Sequence, residues 1–144
     1  MGRVKGDNRL LFDIVQDVIE TTQIACEAKA TGVVYVGGGT PKNFIQQTEV
    51  ADYIFGRNLT GHSYALQITA DAPHWGGLSG CTFEEAQSWV KVDPQAKMAT
   101  IYSDATIALP LLVSALAEEG LALAQKRQRP TFQVDGVELS IATP

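Results

Sequence analysis

The sequence predicts an α/β fold built on a doubly wound parallel sheet with flanking helices. Three observations predict it. A long helical period runs directly into a short β-branched strand; that strand empties into three glycines and a new helix start; and two further apolar strands follow, each succeeded by helical sequence.

The elements follow in order. Between Asn8 and Gly32, apolar residues recur at Leu11, Val15, Val18 and Ala25, with Thr22 in the intervening turn, which predicts one amphipathic helix ending at Gly32 as a left-handed cap. Val33-Val34-Tyr35-Val36 is too short for a helix and reads as a buried strand. After Gly37-Gly38-Gly39, Thr40 as N-cap and Pro41 at the first helical position predict a helix to about Val50. The mixture of Gly, Asn, Thr and His over 51–63 reads as irregular, Tyr64 to Thr69 as a strand, and Ala70 to Gly80 as loop.

Thr82 and Glu85 have capping-box spacing, so a short helix is expected over Phe83 to Val90, with Lys91 at its exit. Met98 to Tyr102 reads as a strand. The alanine- and leucine-rich stretch from Ala105 to Ala124 reads as a largely buried helix, kinked or restarted at Pro110. The tail predicts a β-hairpin, with Asp135-Gly136 as a type I′ turn between Thr131–Val134 and Val137–Ser140. Nothing divides the chain, and one domain is expected across residues 1–144.

Composition narrows the function. Hydrophobic residues make up 45% and charged residues 19% of the sequence, which places the chain among ordinary folded proteins. Eleven basic against sixteen acidic residues leave a net charge of -5, the wrong sign for coating nucleic-acid phosphates, so no nucleic acid is expected as partner. The acidic balance suits solubility and would also attract polyamine cations. Cys26 and Cys81 have no metal-ligand or redox spacing, and His62 and His74 stand apart from other ligand types, so no metal is expected. No stretch reaches membrane-spanning length and no signal-peptide core opens the chain, so a cytoplasmic protein without a membrane partner is expected.

Two segments suggest chemistry. A strand feeding Gly37-Gly38-Gly39 and a helix N-terminus suits an anion, although glycines serve such turns for steric reasons alone. The second is Glu84-Glu85-Ala86-Gln87-Ser88-Trp89-Val90-Lys91. Glu85 and Trp89 are four apart on one helical face, so a carboxylate and an aromatic plate there could hold an alkylammonium group beside Lys91. A lysine amine attacks only when neutral, which an apolar wall favours. The same residues could equally be a cap, a core tryptophan and a helix-end charge. Asp104, between a strand and a helix, suits either an N-cap or a cofactor contact.

Across about Phe12 to Ala117 the chain resembles deoxyhypusine synthase. The resemblance rests on Phe12-Asp13-Ile14-Val15-Gln16-Asp17, Gly37-Gly38-Gly39, Leu78-Ser79-Gly80, Glu85-Ala86-Gln87-Ser88-Trp89-Val90-Lys91, and Ser103-Asp104-Ala105 through Pro110-Leu111-Leu112-Val113, in that order. It implies a Rossmann-like fold and an NAD-dependent transfer of the aminobutyl group of spermidine, through an imine on an enzyme lysine, to a lysine of a translation-factor precursor. By resemblance Lys91 matches the imine-forming lysine. Glu85 and Trp89 match positions lining the polyamine pocket, Gly76 and Gly77 match its glycine loop, and Gly38, Gly39, Asp104 and Ala105 match positions that contact NAD.

This sequence departs from the family pattern at several places. Leu78 and Asn43 stand where animal members carry an acidic residue and a histidine facing the amine, and Trp89-Val90-Lys91 replaces Trp-Gly-Lys. The Trp75-Gly76-Gly77-Leu78-Ser79-Gly80 loop is more similar to prokaryotic relatives. The resemblance covers only the C-terminal portion of the usual family chain, so it implies either a homo-oligomer or pairing with a chain that supplies the N-terminal half. The readings that follow are such a transferase part, a catalytically inactive binding or regulatory subunit or fragment, or a homospermidine synthase-like transferase acting on a small amine.

Overall fold

The computed structural model describes residues 12–56, 59–135 and 138–142. Its centre is a three-stranded parallel sheet in the order β1-β2-β3, formed by Gly32–Val36 (β1), His62–Thr69 (β2) and Val92–Tyr102 (β3). β1 and β2 run in continuous register from Gly32 opposite Tyr64 to Val36 opposite Ile68. β2 and β3 begin with His62 opposite Val92 and resume with Tyr64 opposite Lys97, so β3 carries extra residues. Pro94 lies in that insertion, where its missing N–H interrupts no ladder bond, and Asp93 accepts the Gln95 N–H at 2.6 Å.

Helices flank the sheet. Ile14–Glu27 (α1) precedes β1, while Gly39–Gln46 (α2) and Thr48–Ile54 (α3) connect β1 to β2. Two single 3₁₀ turns, Pro73–Trp75 and Leu78–Gly80, and the helix Phe83–Ser88 (α4) connect β2 to β3. Ala105–Glu119 (α5) and Leu121–Lys126 (α6) follow, and Thr131–Asp135 (β4) pairs antiparallel with Glu138–Ala142 (β5).

The core lies between one sheet face and helices α2 and α4. Tyr35, Ala65, Phe83, Ala86 and Val92 form it, with Val33, Ile45, Ala96 and Met98 packed around them. Phe83 and Ala86 are three apart on α4 and so face the sheet together; burying Phe83 alone contributes ~2–3 kcal/mol. Alternation along the strands places Val34, Val36 and Tyr64 on the opposite face, where all three are exposed. Val34 and Tyr64, with Leu66, Lys97 and Ala99, border a shallow groove of about 450 Å³.

Several expectations need correction. The first helix ends at Glu27 with Ala28 extended, and Gly32 opens β1 instead of capping a helix; Leu11 lies outside the described residues. Thr40 is not an N-cap. Gly38 takes that position, because the left-handed backbone at Gly37 and Gly38 completes the turn two residues earlier than a Thr40 cap would require. The expected helix to Val50 is two helices, broken at Gln47. The α4 helix stops at Ser88.

The helix expected to be largely buried is exposed. Only Ala108 is buried on α5, and Ile107, Leu111, Val113 and Leu116 face out. Pro110 does not break it; the interruption falls at Gly120. The hairpin is present with a shifted register: Asp135 pairs with Glu138, so Asp135 belongs to the strand, and residues 136–137 lie outside the described ones. No described helix is long and apolar enough to cross a membrane.

Candidate functional site

The short helix α4 organises the site. Thr82 accepts the Glu85 N–H at 3.3 Å, the capping bond its spacing predicts, and sends Phe83 and Ala86 inward. Glu85, Trp89 and Lys91 then line one small pocket of about 40 Å³. Across it, α2 contributes Lys42, Asn43 and Gln46, and the 78–81 segment contributes Leu78 and Cys81. The Lys91 amine lies 5.8 Å from the centre of the Trp89 ring, within cation–π range. Trp89 is 65% exposed, so this wall of the pocket opens outward.

Lys42 was not singled out from sequence, yet it is only 3% exposed. Its amine donates to Gln67 Oε1 at 2.9 Å and to the Cys81 carbonyl at 2.6 Å. Gln67 in turn donates to the Ser79 carbonyl at 2.9 Å, and the Ser79 hydroxyl bonds to Asp71. This chain of bonds ties α2, β2 and the 78–81 turn into one wall. Burial pushes the Lys42 ammonium below its usual range, against the attraction of Cys81 and Glu85. Burial pushes the Cys81 thiol up, as does its hydrogen bond with Glu85. The inward turn of Lys42 is set by acceptors on β2 and the 78–81 segment, and Gln46, four residues on, is buried on the same helix face.

The remaining sequence-selected residues lie elsewhere. Gly76 and Gly77 are exposed between the two 3₁₀ turns, adjoining Leu78 but outside the pocket lining. Gly38 and Gly39 follow the C-terminal end of β1, and Asp104 and Ala105 follow that of β3, so all four occupy the sheet edge where open α/β sheets bind ligands. Gly37 and Gly38 have φ of 61° and 64°, and a Cβ on Gly37 would meet nothing within 4 Å. Helix α2 begins there without a side-chain cap, leaving its first N–H groups for an external acceptor. That edge therefore suits a phosphate-bearing ligand.

The two regions share a wall. A Cβ on Gly39 would stand 2.7 Å from Leu78 Cβ and 3.0 Å from Ser79 N, so the glycine turn rests flush against a segment that lines the Lys91 pocket. Asp104 caps α5, accepting from Thr106 N at 2.8 Å and Thr106 Oγ1 at 2.6 Å. Those bonds, the hydroxyl's first, hold its carboxyl below the usual range. Among the described residues, no group of three or more His, Cys, Asp or Glu side chains is placed to hold a metal.

A family model described as deoxyhypusine synthase matches residues 2–116. The chain belongs to the deoxyhypusine synthase family. It is similar to a probable deoxyhypusine synthase 2 of Methanosarcina acetivorans, 57% identical over 130 residues, covering 90% of this chain and 37% of that protein. It is 54% identical over 123 residues to a probable deoxyhypusine synthase 2 of Archaeoglobus fulgidus, covering 85% of this chain and 40% of the other. A deoxyhypusine synthase-like protein of Coxiella burnetii is 42% identical over 108 residues, covering 75% of this chain and 30% of its own length. The chain thus spans two-fifths or less of these deoxyhypusine synthase relatives.

Proposed function

We propose that this chain supplies the lysine-bearing part of an NAD-dependent aminobutyl transferase of the deoxyhypusine synthase type. The observation that carries the reading is the convergence on one pocket of Asn43 from α2, Glu85 from α4, and Trp89 and Lys91 from the exit of α4. Lys91 is the nucleophile: its neutral amine adds to the C=N carbon of the oxidised donor and expels the donor's remaining amine, which leaves the aminobutyl group on Nζ as an imine. Trp89 and Glu85 hold the alkylammonium end, the ring by cation–π attraction and the carboxylate as counter-charge. Asn43 offers a neutral hydrogen-bonding edge, and Gly76 and Gly77 border the entrance. Leu78 adds an apolar wall, which leaves Glu85 as the carboxylate of this lining.

Gly38, Gly39, Asp104 and Ala105 are the residues of this chain that would hold NAD, consistent with the uncapped helix start at the glycine turn. When bound, NAD accepts a hydride from the carbon beside the amine. The donor in this reading is spermidine or a related polyamine, and the acceptor is a lysine of a translation-factor precursor. The chain spans two-fifths or less of its relatives, so turnover in this reading also draws on the remaining family sequence, whether joined to these residues or carried by another copy or chain.

The test uses the residues of this chain alone. 4-Aminobutanal condenses with a lysine amine, losing water, and borohydride reduces the imine to a stable secondary amine. Mass mapping is expected to find the adduct on Lys91 and to lose it in Lys91→Arg. An adduct spread equally over exposed lysines would overturn the reading.

A further inference from the structure

Helix α4 ends in a tight closure in which the Val90 N–H donates to the Gln87 carbonyl at 2.9 Å and the Lys91 N–H to the Ala86 carbonyl at 3.0 Å. This pair of bonds is the Schellman closure, whose C′ residue must take a left-handed backbone. That residue is Val90, with φ of 60°, the only non-glycine residue with positive φ among the described residues. A β-branched side chain is badly suited to this conformation.

The surroundings force it. Downstream of Val90 the chain is pinned on two sides: the Lys91 carbonyl accepts the His62 N–H at 3.3 Å, and the Asp93 carbonyl accepts Gln87 Nε2 at 3.0 Å. Gly61 lies flush behind, where a Cβ would stand 2.7 Å from Val92 C and 2.9 Å from the Val90 carbonyl oxygen. With α4 fixed by its buried Phe83 and Ala86, the reversal between helix and strand falls on one residue. Its side chain is 56% exposed, so packing compensates only part of the strain.

We propose that Val90 is a positioning residue for Lys91, a strained hinge that lets the lysine alternate between a seat in the pocket against Trp89 and a withdrawn state in which the closure opens. Relaxing Val90 to an ordinary backbone breaks the Lys91 to Ala86 bond and swings the amine out; a ligand that engages the amine favours the seated state. The importance of this hinge rests on Lys91 being the reacting residue, but its test does not.

The test compares Val90→Gly, Val90→Asn and Val90→Ile with the unaltered chain. Glycine and asparagine tolerate the left-handed region, whereas isoleucine does not. Native-state exchange of the Lys91 N–H is expected to slow about tenfold in Val90→Gly, less in Val90→Asn, and not at all in Val90→Ile. Reductive methylation by formaldehyde and cyanoborohydride, read as the ratio of Lys91 to the exposed Lys29, is expected to fall severalfold in the same order. Because neither measurement uses a polyamine or cofactor, failure here is distinct from failure of the imine reading. An unchanged methylation ratio across the series overturns the proposal, whatever happens to overall stability, since Val90 would then be a residue of the fold alone.

Discussion

Lys42 points its amine into the protein, 2.9 Å from the side-chain oxygen of Gln67, on the same pocket wall that Lys91 faces. Two acceptors, Gln67 and the Cys81 carbonyl, depend on that one donor. Lys42→Met keeps the volume and removes the donor, and is expected to cost ~1–3 kcal/mol. Urea denaturation measures it. Combined with Gln67→Leu, the double variant should lose less than the sum of the two single losses, by ~0.5 kcal/mol or more; strict additivity would show that the bond is unimportant.

Glu49 gives the fold a pH dependence of opposite sign to that of a salt-bridged acid. Burial, followed by the neighbouring Asp52, pushes its carboxyl up to about 7, against the Gly61 backbone bond that lowers it. The folded chain therefore holds a proton that the unfolded chain releases above its ordinary value of 4.5. Stability from this group is complete below about pH 4.5, falls as pH rises, and levels off above about 7. Buried His62, whose ring is pushed down, contributes an opposite slope on the acid side of 6.5. Comparing Glu49→Gln with the unaltered chain isolates the first effect: the variant should gain on the order of 2 kcal/mol by pH 8 relative to pH 4. Parallel stability curves would contradict it.

Two glycines with the same backbone sign should respond differently to alanine. Gly37→Ala meets open space and suffers only its φ of 61°, an expected loss of ~1–2 kcal/mol. Gly61→Ala adds a Cβ 2.7 Å from backbone atoms at 92 and 93 to a φ of 89°, and should lose ~3 kcal/mol or more. Thermal denaturation separates them; equal losses would mean that the close approach behind Lys91 is easily relieved.

The outward apolar residues of α5 predict a fourth behaviour. Leu111 is 69% exposed, so Leu111→Glu should leave chemical stability within ~0.5 kcal/mol while lowering the binding of a hydrophobic dye. A large loss of stability would place Leu111 in a buried contact.

The sequence displayed the sheet more clearly than what covers it. β1 announces itself through a β-branched run bounded by glycine, the end of β2 through a short apolar stretch, and the Thr82 to Glu85 spacing locates α4. The burial of α5 was misread because a helix apolar all round reports its own chemistry and not its neighbours. Pro94 hides the full length of β3, since a proline argues against a strand unless an insertion is known to accommodate it. At the site, Glu85 and Trp89 could be paired by their spacing on one helix. Asn43 comes to them from α2, and Lys42 turns inward because Gln67 on β2 awaits it; both relationships are tertiary and leave no mark on a single segment.

The hairpin has a consequence for how the molecule is made. Gln23 on α1 accepts the Leu139 N–H at 3.1 Å, and Glu27 accepts the Ile141 N–H at 3.1 Å. These bonds join residues 116 and 114 positions apart, whereas the parallel sheet closes over much shorter spans. During synthesis β1, β2 and β3 can assemble while the ribbon is still inside the ribosome, with the acceptors of α1 facing water. Seating the ribbon on α1 therefore closes a far longer loop than any pairing within the sheet, at a correspondingly greater cost in chain entropy.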